Sequence, residues 1–508
     1  MASEASPRKG RPSSETGFVC GKMRTACESG DAGLPCLPGC SGSLDNMISR
    51  SLALAFALGL LLASQPMFAA SDANSDPPLS RAGLFEDDVP KGEKAVDSGV
   101  NLNGFAEFKL AYTTPHPAHW SRVLTRVQLE ATGAFSPNVK WKLSGRVDYD
   151  AVYSLTDFYS SSVADNARLN FFARENYLDV GANEWDFRFG RQHIVWGEMV
   201  NLFAADVVSA KDLREFVLPD FAIIRIPQWA ARAEYSKNDF HAELIWIPVA
   251  SYNKIGVPGA QFYSYPPPPP AGYAQVILDE QFPNRSLAHT NYGVRLSLLR
   301  NGWDVAGYYY GSMDQSPTFY RTIVNDPQPT FVYQPRHDRI NQGGFTLAKD
   351  FGFAVLKAET VYTQGRKYNV NTLAVPDGVV EQNTFDWVVG LDLSLPQFPD
   401  TRLNLQGFQR IYGNYDSGSS ADRLGYDKYE NGYSIYASTL LGQGWEGSML
   451  WGSSVNRTDW MLRVALNRTF DRNWRIQFGL DRFNGSPQSL FGQFTHSSRV
   501  YSQLSYAF

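Results

Sequence analysis

The 508-residue chain is poor in cysteine, nearly devoid of long apolar runs and free of common catalytic signatures. Its four cysteines, Cys20, Cys27, Cys36 and Cys40, all precede residue 47. They lack the tight paired spacing of a zinc module, and the cysteine-free remainder excludes a disulfide framework and a covalent haem site. No cysteine follows the early apolar run, which argues against a lipidated N-terminus. The seven histidines are scattered. No His-Glu-x-x-His pair, Gly-x-Ser-x-Gly elbow or phosphate-cradling loop is present, so neither a metal nor a cofactor is expected and the chain does not read as an enzyme. A Ser/His/Asp site assembled from distant strands remains open at this level. The net charge of −5, without a polybasic stretch, gives no nucleic-acid signature.

Only one long apolar run exists, Leu52 to Ala63. A spanning helix needs roughly 20 apolar residues, so this run is too short. With Arg50 before it and small residues from Gln65 to Ala73 after it, it reads as a signal peptide over 47–70. Met47 is then the expected true start, and residues 1–46 an upstream extension foreign to the rest. Residues 71–100, acidic around Glu86-Asp87-Asp88, are expected to form a periplasmic tail or plug.

What is present is alternation. From about residue 102 apolar and polar residues alternate with period 2, the mark of strands with two unlike faces. Over 139–153, Val139, Trp141, Leu143, Val147, Tyr149 and Tyr153 share one face, and Lys140, Lys142, Ser144, Arg146, Asp148 and Asp150 the other. Similar patterns surround Trp229, Tyr292, Trp387 and Trp474. A mean hydropathy of −0.30 is compatible with membrane insertion only if such faces average out, as they do in a β-barrel.

Connections alternate in length. Eight short turns, at residues 136–138, 182–184, 236–239, 300–302, 349–352, 396–400, 442–444 and 471–473, are rich in Gly, Asn, Asp and Pro. Longer loops lie near 154–166, 197–223, 249–290, 312–336, 364–383, 413–431 and 485–498. Short periplasmic turns and long outer loops are the barrel asymmetry. The count predicts an all-β transmembrane antiparallel up-and-down barrel over 101–508, of about 18 strands (16–18), with one short helix in a loop. Trp141, Trp185, Phe240, Trp303, Phe353, Trp445 and Trp474 each follow a short turn and predict a periplasmic aromatic girdle. The last strand, with Leu504, Tyr506 and Phe508 on one face, resembles the C-terminal signature read by the barrel-assembly machinery. Outer-membrane lipid and that machinery are the expected partners.

Charges at inward positions cannot face lipid, where an Arg costs about 2–4 kcal/mol at mid-depth. Arg122, Arg126, Glu130, Lys140, Lys142, Arg146, Asp148, Asp150, Arg188, Arg191, Arg232, Glu234, His241, Glu243, Arg295, Lys357, Glu359, Arg402 and Arg410 are therefore assigned to the lumen. Most are expected to pair across strands and hold the wall. Some could filter solutes by charge, and both signs are present. The loop 256–285 carries Pro266 to Pro270, a stiff polyproline stretch that fits a lid, a surface ligand or a spacer.

The segment 187–220 is the least barrel-like. Phe203-Ala204-Ala205-Asp206 precedes a stretch from Ser209 to Phe216 that reads as a short helix with Ser209 as N-cap, ended by Pro219. Glu198, Asp206, Asp212, Arg214 and Glu215 could pair with lumen charges, so the loop 197–223 is expected to fold inward as a constriction. Gly190-Arg191-Gln192, Trp196-Gly197-Glu198 and Asp212-Leu213-Arg214-Glu215, with Glu175-Asn176-Tyr177-Leu178-Asp179 before them, resemble a large proteobacterial outer-membrane barrel family of unassigned function. The resemblance covers about 174–220 and implies a porin-like barrel, with uptake or export of hydrophobic compounds associated with some members. The expected function is a channel for small solutes in a Gram-negative outer membrane. A barrel that sheathes or anchors a protein partner, and a barrel enzyme, are the alternatives.

Overall fold

The computed structural model describes residues 99–508 apart from 198, 200–203, 264, 265, 267, 268, 326, 414 and 416–426. The upstream extension, signal peptide and N-terminal tail lie outside the described residues, as do Glu198 and part of the polyproline run.

Eighteen strands form one sheet. They are β1 (Asn101–Thr113), β2 (His119–Ser136), β3 (Val139–Asp150), β4 (Leu169–Ala182), β5 (Trp185–Gln192) and β6 (Gln228–Lys237). Next come β7 (Phe240–Val249), β8 (Asn291–Arg300), β9 (Trp303–Met313), β10 (Arg339–Asp350), β11 (Ala354–Asn369) and β12 (Val379–Ser394). The last six are β13 (Thr401–Tyr412), β14 (Tyr429–Gly442), β15 (Trp445–Ser454), β16 (Asp459–Phe470), β17 (Trp474–Gly485) and β18 (Arg499–Ala507). Each pairs antiparallel with the next, and β18 pairs with β1 from Phe105↔Ala507 to Thr113↔Arg499, closing the barrel. Closure leaves no strand edge to aggregate and satisfies the backbone within the sheet.

The short turns owe their tightness to residues that tolerate the left-handed region. Asn183, Asn238 and Asn301 hold φ of 57°, 52° and 53°. Turns of that conformation match the twist of flanking strands. Alternation sorts the faces as expected. On β3, Leu143, Val147 and Tyr149 are exposed outward, and Lys142, Ser144, Arg146, Asp148 and Asp150 are buried inside. Trp185, Phe240, Trp303 and Phe353 are exposed at the short-turn end. A second belt, which the sequence did not single out, contains Trp120, Trp229, Trp246, Tyr292 and Tyr429 near the loop end. Two aromatic belts bracket the apolar band of a membrane barrel.

The strand expected over 139–153 stops at Asp150. Its carboxylate accepts the backbone N–H groups of Val123 and Val152, turning the chain into a helical turn, Val152–Leu155. The single loop helix expected over 209–216 is absent. Ser209 Oγ donates to Ile194 O instead of capping, Lys211 pairs with Arg225 in a two-residue ladder, and Phe216 sits at φ 53°. Tertiary hydrogen bonds override local helix propensity there. Among the described residues the α-helical segments are Val152–Leu155, Ser161–Ala167 and Phe221–Ile224. The 249–290 and 312–336 stretches also hold strands. Thr318–Val324 and Thr330–Arg336 form a hairpin, and Ala274–Ile277 adds to it in parallel around Phe319, Phe331 and Tyr333.

At the seam, Phe508 N–H donates to Gly104 O at 3.0 Å and Gly104 N–H to Phe508 O at 2.9 Å. A Cβ on Gly104 would stand 2.8 Å from the Phe508 ring, so only glycine lets that ring lie across β1. Tyr506 packs on Trp474 at 4.7 Å, and Leu504 pairs with Phe108 and Ile476. Phe508→Ala keeps the backbone pair and removes the ring. Folded barrel, read as the heat-modifiable band in membrane fractions, is expected to fall several-fold, and a normal level would refute a role for the ring in assembly.

Candidate constriction and luminal cavities

Gly190 begins the departure of the loop from the wall. Its φ is 131°, and a Cβ there would stand 2.3 Å from Asn176 O, so β5 twists where only glycine fits. The chain then enters the lumen. Trp196 is buried among Ile194, Val208, Ile245, Ile247, Tyr308 and Tyr310, and its indole N–H donates to Glu243 Oε2 at 3.0 Å. Trp196→Phe keeps an aromatic ring in the cluster and strips the buried Glu243 carboxylate of that donor. The expected cost is about 1–3 kcal/mol, visible as faster proteolysis within 193–227.

Further along, irregular backbone is held by side chains of the wall. Glu359 on β11 accepts from Met199 N–H at 3.0 Å and from Ala205 N–H at 2.8 Å, one with each oxygen. Gln315 donates to Val207 O and Val208 O. Asp212 N–H donates to Ile224 O, and Leu213 N–H to Lys254 O. Arg463 on β16 donates to Leu218 O, Arg174 on β4 to Ala222 O and Arg225 O, and Arg146 on β3 to Ile223 O. Loop 193–227 thus reaches β11 on one side and β16, β18 and β2 on another before rejoining the wall at β6. Buried backbone groups need such partners, and here the barrel supplies them.

Glu215 is the electrostatic centre of this crossing. Its carboxylate lies 3.3 Å from Arg122 of β2 and 3.1 Å from Arg499 of β18. Arg122 also pairs with Asp150, and Arg499 with Asp481. Burial pushes the Glu215 carboxyl up, but Arg122, Lys109 and Arg499 outweigh it and hold it well below the usual carboxylate range. Asp212, against Arg214, is brought down to about 2 by the same contest between burial and a neighbouring cation. Burial, then Arg174 and Arg225, holds the His193 imidazole well below its ordinary value.

Most of the other expected lumen residues are in ion pairs, His241 with Glu234 and Lys357 with Asp392 among them. Arg126 binds Asp148 and Glu107, Lys142 binds Glu130 and Glu175, and Arg146 reaches Asp148. Arg188 pairs with Asp179 and stacks over Tyr177. Asp206 pairs with Arg225, and Arg232 with Glu234. Lys140 is exposed beside its short turn, away from the crossing. Arg191 is not brought to the loop's ion pairs either and lines a cavity at the outer rim. The sequence reading missed Glu107, Lys109, Arg174, Arg463 and Arg499. The usable signal was period 2: Arg499 alternates with the outward Val500, and Glu107 and Lys109 flank Phe108.

Two cavities stand out. One, of about 510 Å³, lies between the loop at Asp206, Val207 and Lys211 and the wall strands β10–β16. The Arg366–Asp314, Arg410–Asp386 and Arg457–Glu430 pairs line it, alternating with Ile340, Val361, Val388, Phe408 and Tyr412. The other, of about 570 Å³, sits at the outer rim beside Arg191 and Lys254. No group of three or more His, Cys, Asp or Glu fit to hold a metal occurs among the described residues.

The sequence profile of a family described as "Protein of unknown function (DUF1302)" matches residues 118–508. No curated protein is a match for the chain. Among solved structures, the chain is similar to Acinetobacter baumannii OccAB3, at 10% identity and TM-score 0.46 over 81% of this chain and 99% of that one. It is similar to Pseudomonas aeruginosa OccK8 (OprE), at 9% identity and TM-score 0.46 over 80% and 97%. A Salmonella typhi OmpF complex with daunomycin aligns at 10% identity and TM-score 0.39 over 80% and 97%.

Proposed function

The chain belongs to that family of unknown function, as the segment from Glu175 to Glu215 led one to expect, and we propose that it is an outer-membrane channel for small solutes, narrowed by its own loop 193–227. The observation that carries this reading is the loop crossing. It is tied to β11 through Glu359 and to β2 and β18 through Glu215, with a cavity of about 510 Å³ left beside it. A barrel of this strand number is wide enough for an aqueous passage, so an internal loop sets the effective bore. The cavity lining supports a solute with both polar and apolar surface, since charge pairs alternate with aliphatic and aromatic groups. Because those charges are paired by sign, weak ion selectivity follows. The loop occupies the bore that a sheathed protein would need, which favours the channel over the conduit reading.

Single-channel recording in planar bilayers tests this. The intact barrel is expected to show small, discrete conductance steps, and excision of residues 205–220 is expected to enlarge them several-fold. No conductance from either protein, with both folded by heat-modifiability, would overturn the channel.

A further inference from the structure

The wall has a notch at its outer rim. Strand β4 pairs with β5 only as far as Asn176↔Arg191, whereas on its other side it pairs with β3 up to Tyr149↔Leu169. Residues 169–175 of β4 therefore stand without a β5 partner, and the rim cavity of about 570 Å³ opens there. Its charge is lopsided. Arg191, Arg214, Lys254 and Arg285 line it, against Glu280 as the acid, and Glu280 is taken by His337 at 2.7 Å. Arg214 is taken by Asp212. The Arg191 Nε is buried with no hydrogen-bond partner among the described residues. Partial burial of its ammonium lowers the Lys254 pKa, and Arg214, Arg146 and Arg191 lower it further against Asp212. Pro248, Val249 and Phe282 give the cavity an apolar side, and Asn166, Asn170 and Ser251 are among its polar groups.

We propose that this notch binds an anionic amphiphile, with its acid head group between Arg191, Lys254 and Arg285 and its apolar body along Pro248, Val249 and Phe282. A buried guanidinium N–H without an acceptor is costly, and a carboxylate or phosphate oxygen supplies a partner. The apolar side of the same cavity excludes a bare inorganic ion as the best fit. The site goes beyond the channel reading, because binding is measured without conduction and stands or falls separately.

The test is calorimetric titration of the full chain in a non-ionic detergent with dodecanoate, dodecyl phosphate and dodecanol. Both anions are expected to bind at least tenfold more tightly than the alcohol, and more weakly as salt rises. Lys254→Met and Arg285→Gln, both at exposed positions, are each expected to weaken the anions about tenfold and leave the alcohol unchanged. Competition separates the sources of the head group. If lipopolysaccharide displaces dodecanoate, the natural occupant is an outer-leaflet lipid, and if it does not, the occupant is a free amphiphile. Equal binding of alcohol and acid, or anion binding unchanged in both variants, would overturn the site.

Discussion

Glu215→Ala is expected to release the loop and raise single-channel conductance several-fold. The substitution removes the carboxylate between Arg122 and Arg499, leaving two buried guanidinium groups short of a counter-charge. Breaking a buried ion pair by removing one partner typically costs about 3–5 kcal/mol. At tenfold per 1.4 kcal/mol, even about 3 kcal/mol shifts the docked loop toward release by roughly a hundredfold. Glu215→Gln keeps an acceptor and loses the charge, so its effect is smaller. Both variants leave the lumen near β1, β2 and β18 more positive, and the reversal potential in a salt gradient should move toward anion selectivity.

The same pair sets the pH behaviour. The folded-state pKa of Glu215 is depressed, so the stability it lends to the docked loop is present above its ordinary value. That stability is lost progressively as pH falls from the ordinary carboxylate value to the depressed one. Conductance is therefore expected to hold steady from neutral pH down to the ordinary carboxylate value and to rise below it. A rise already complete near pH 5 would mean that another group holds the loop.

Much of this was legible in the sequence, for a specific reason. A closed sheet in lipid forces period 2 on every strand, so Lys142, Arg146, Asp148 and Asp150 could be placed inside from their neighbours alone. The turns were legible because Asn183, Asn238 and Asn301 tolerate the left-handed conformation. The loop's path was not. Glu359 lies 154 residues from Ala205, and Arg499 lies 284 from Glu215. Periodicity says which face a residue takes, but not which strand stands across the lumen. The error over 209–216 has the same origin. Ser209 and the residues after it carry a helix-start pattern, yet their donors and acceptors are claimed by Ile194, Arg225, Asn253 and Lys254. The rim notch was also invisible, since it depends on β5 ending before its neighbour.

Glu359 is the second anchor, and its removal should act together with that of Glu215. In Glu359→Ala the Met199 and Ala205 amides lose both acceptors at once, and a buried donor left unpaired costs about 1–3 kcal/mol. Glu359→Gln retains one acceptor oxygen, so roughly half of the effect should remain. The two anchors hold different parts of one segment at different walls. Losing either lets part of the loop stay docked, and losing both leaves it held by the neutral and guanidinium contacts of Trp196, Gln315, Arg463 and Arg174 without either carboxylate anchor. Conductance of the Glu215→Ala/Glu359→Ala double variant should therefore exceed the product of the two single increases and approach that of the 205–220 excision. If the double variant conducts no more than Glu215→Ala alone, the Glu359 contact does not restrain the passage, and the constriction is confined to the segment around Glu215. Protease accessibility gives an independent reading, because the loop should become cleavable in each single variant in proportion to its conductance gain.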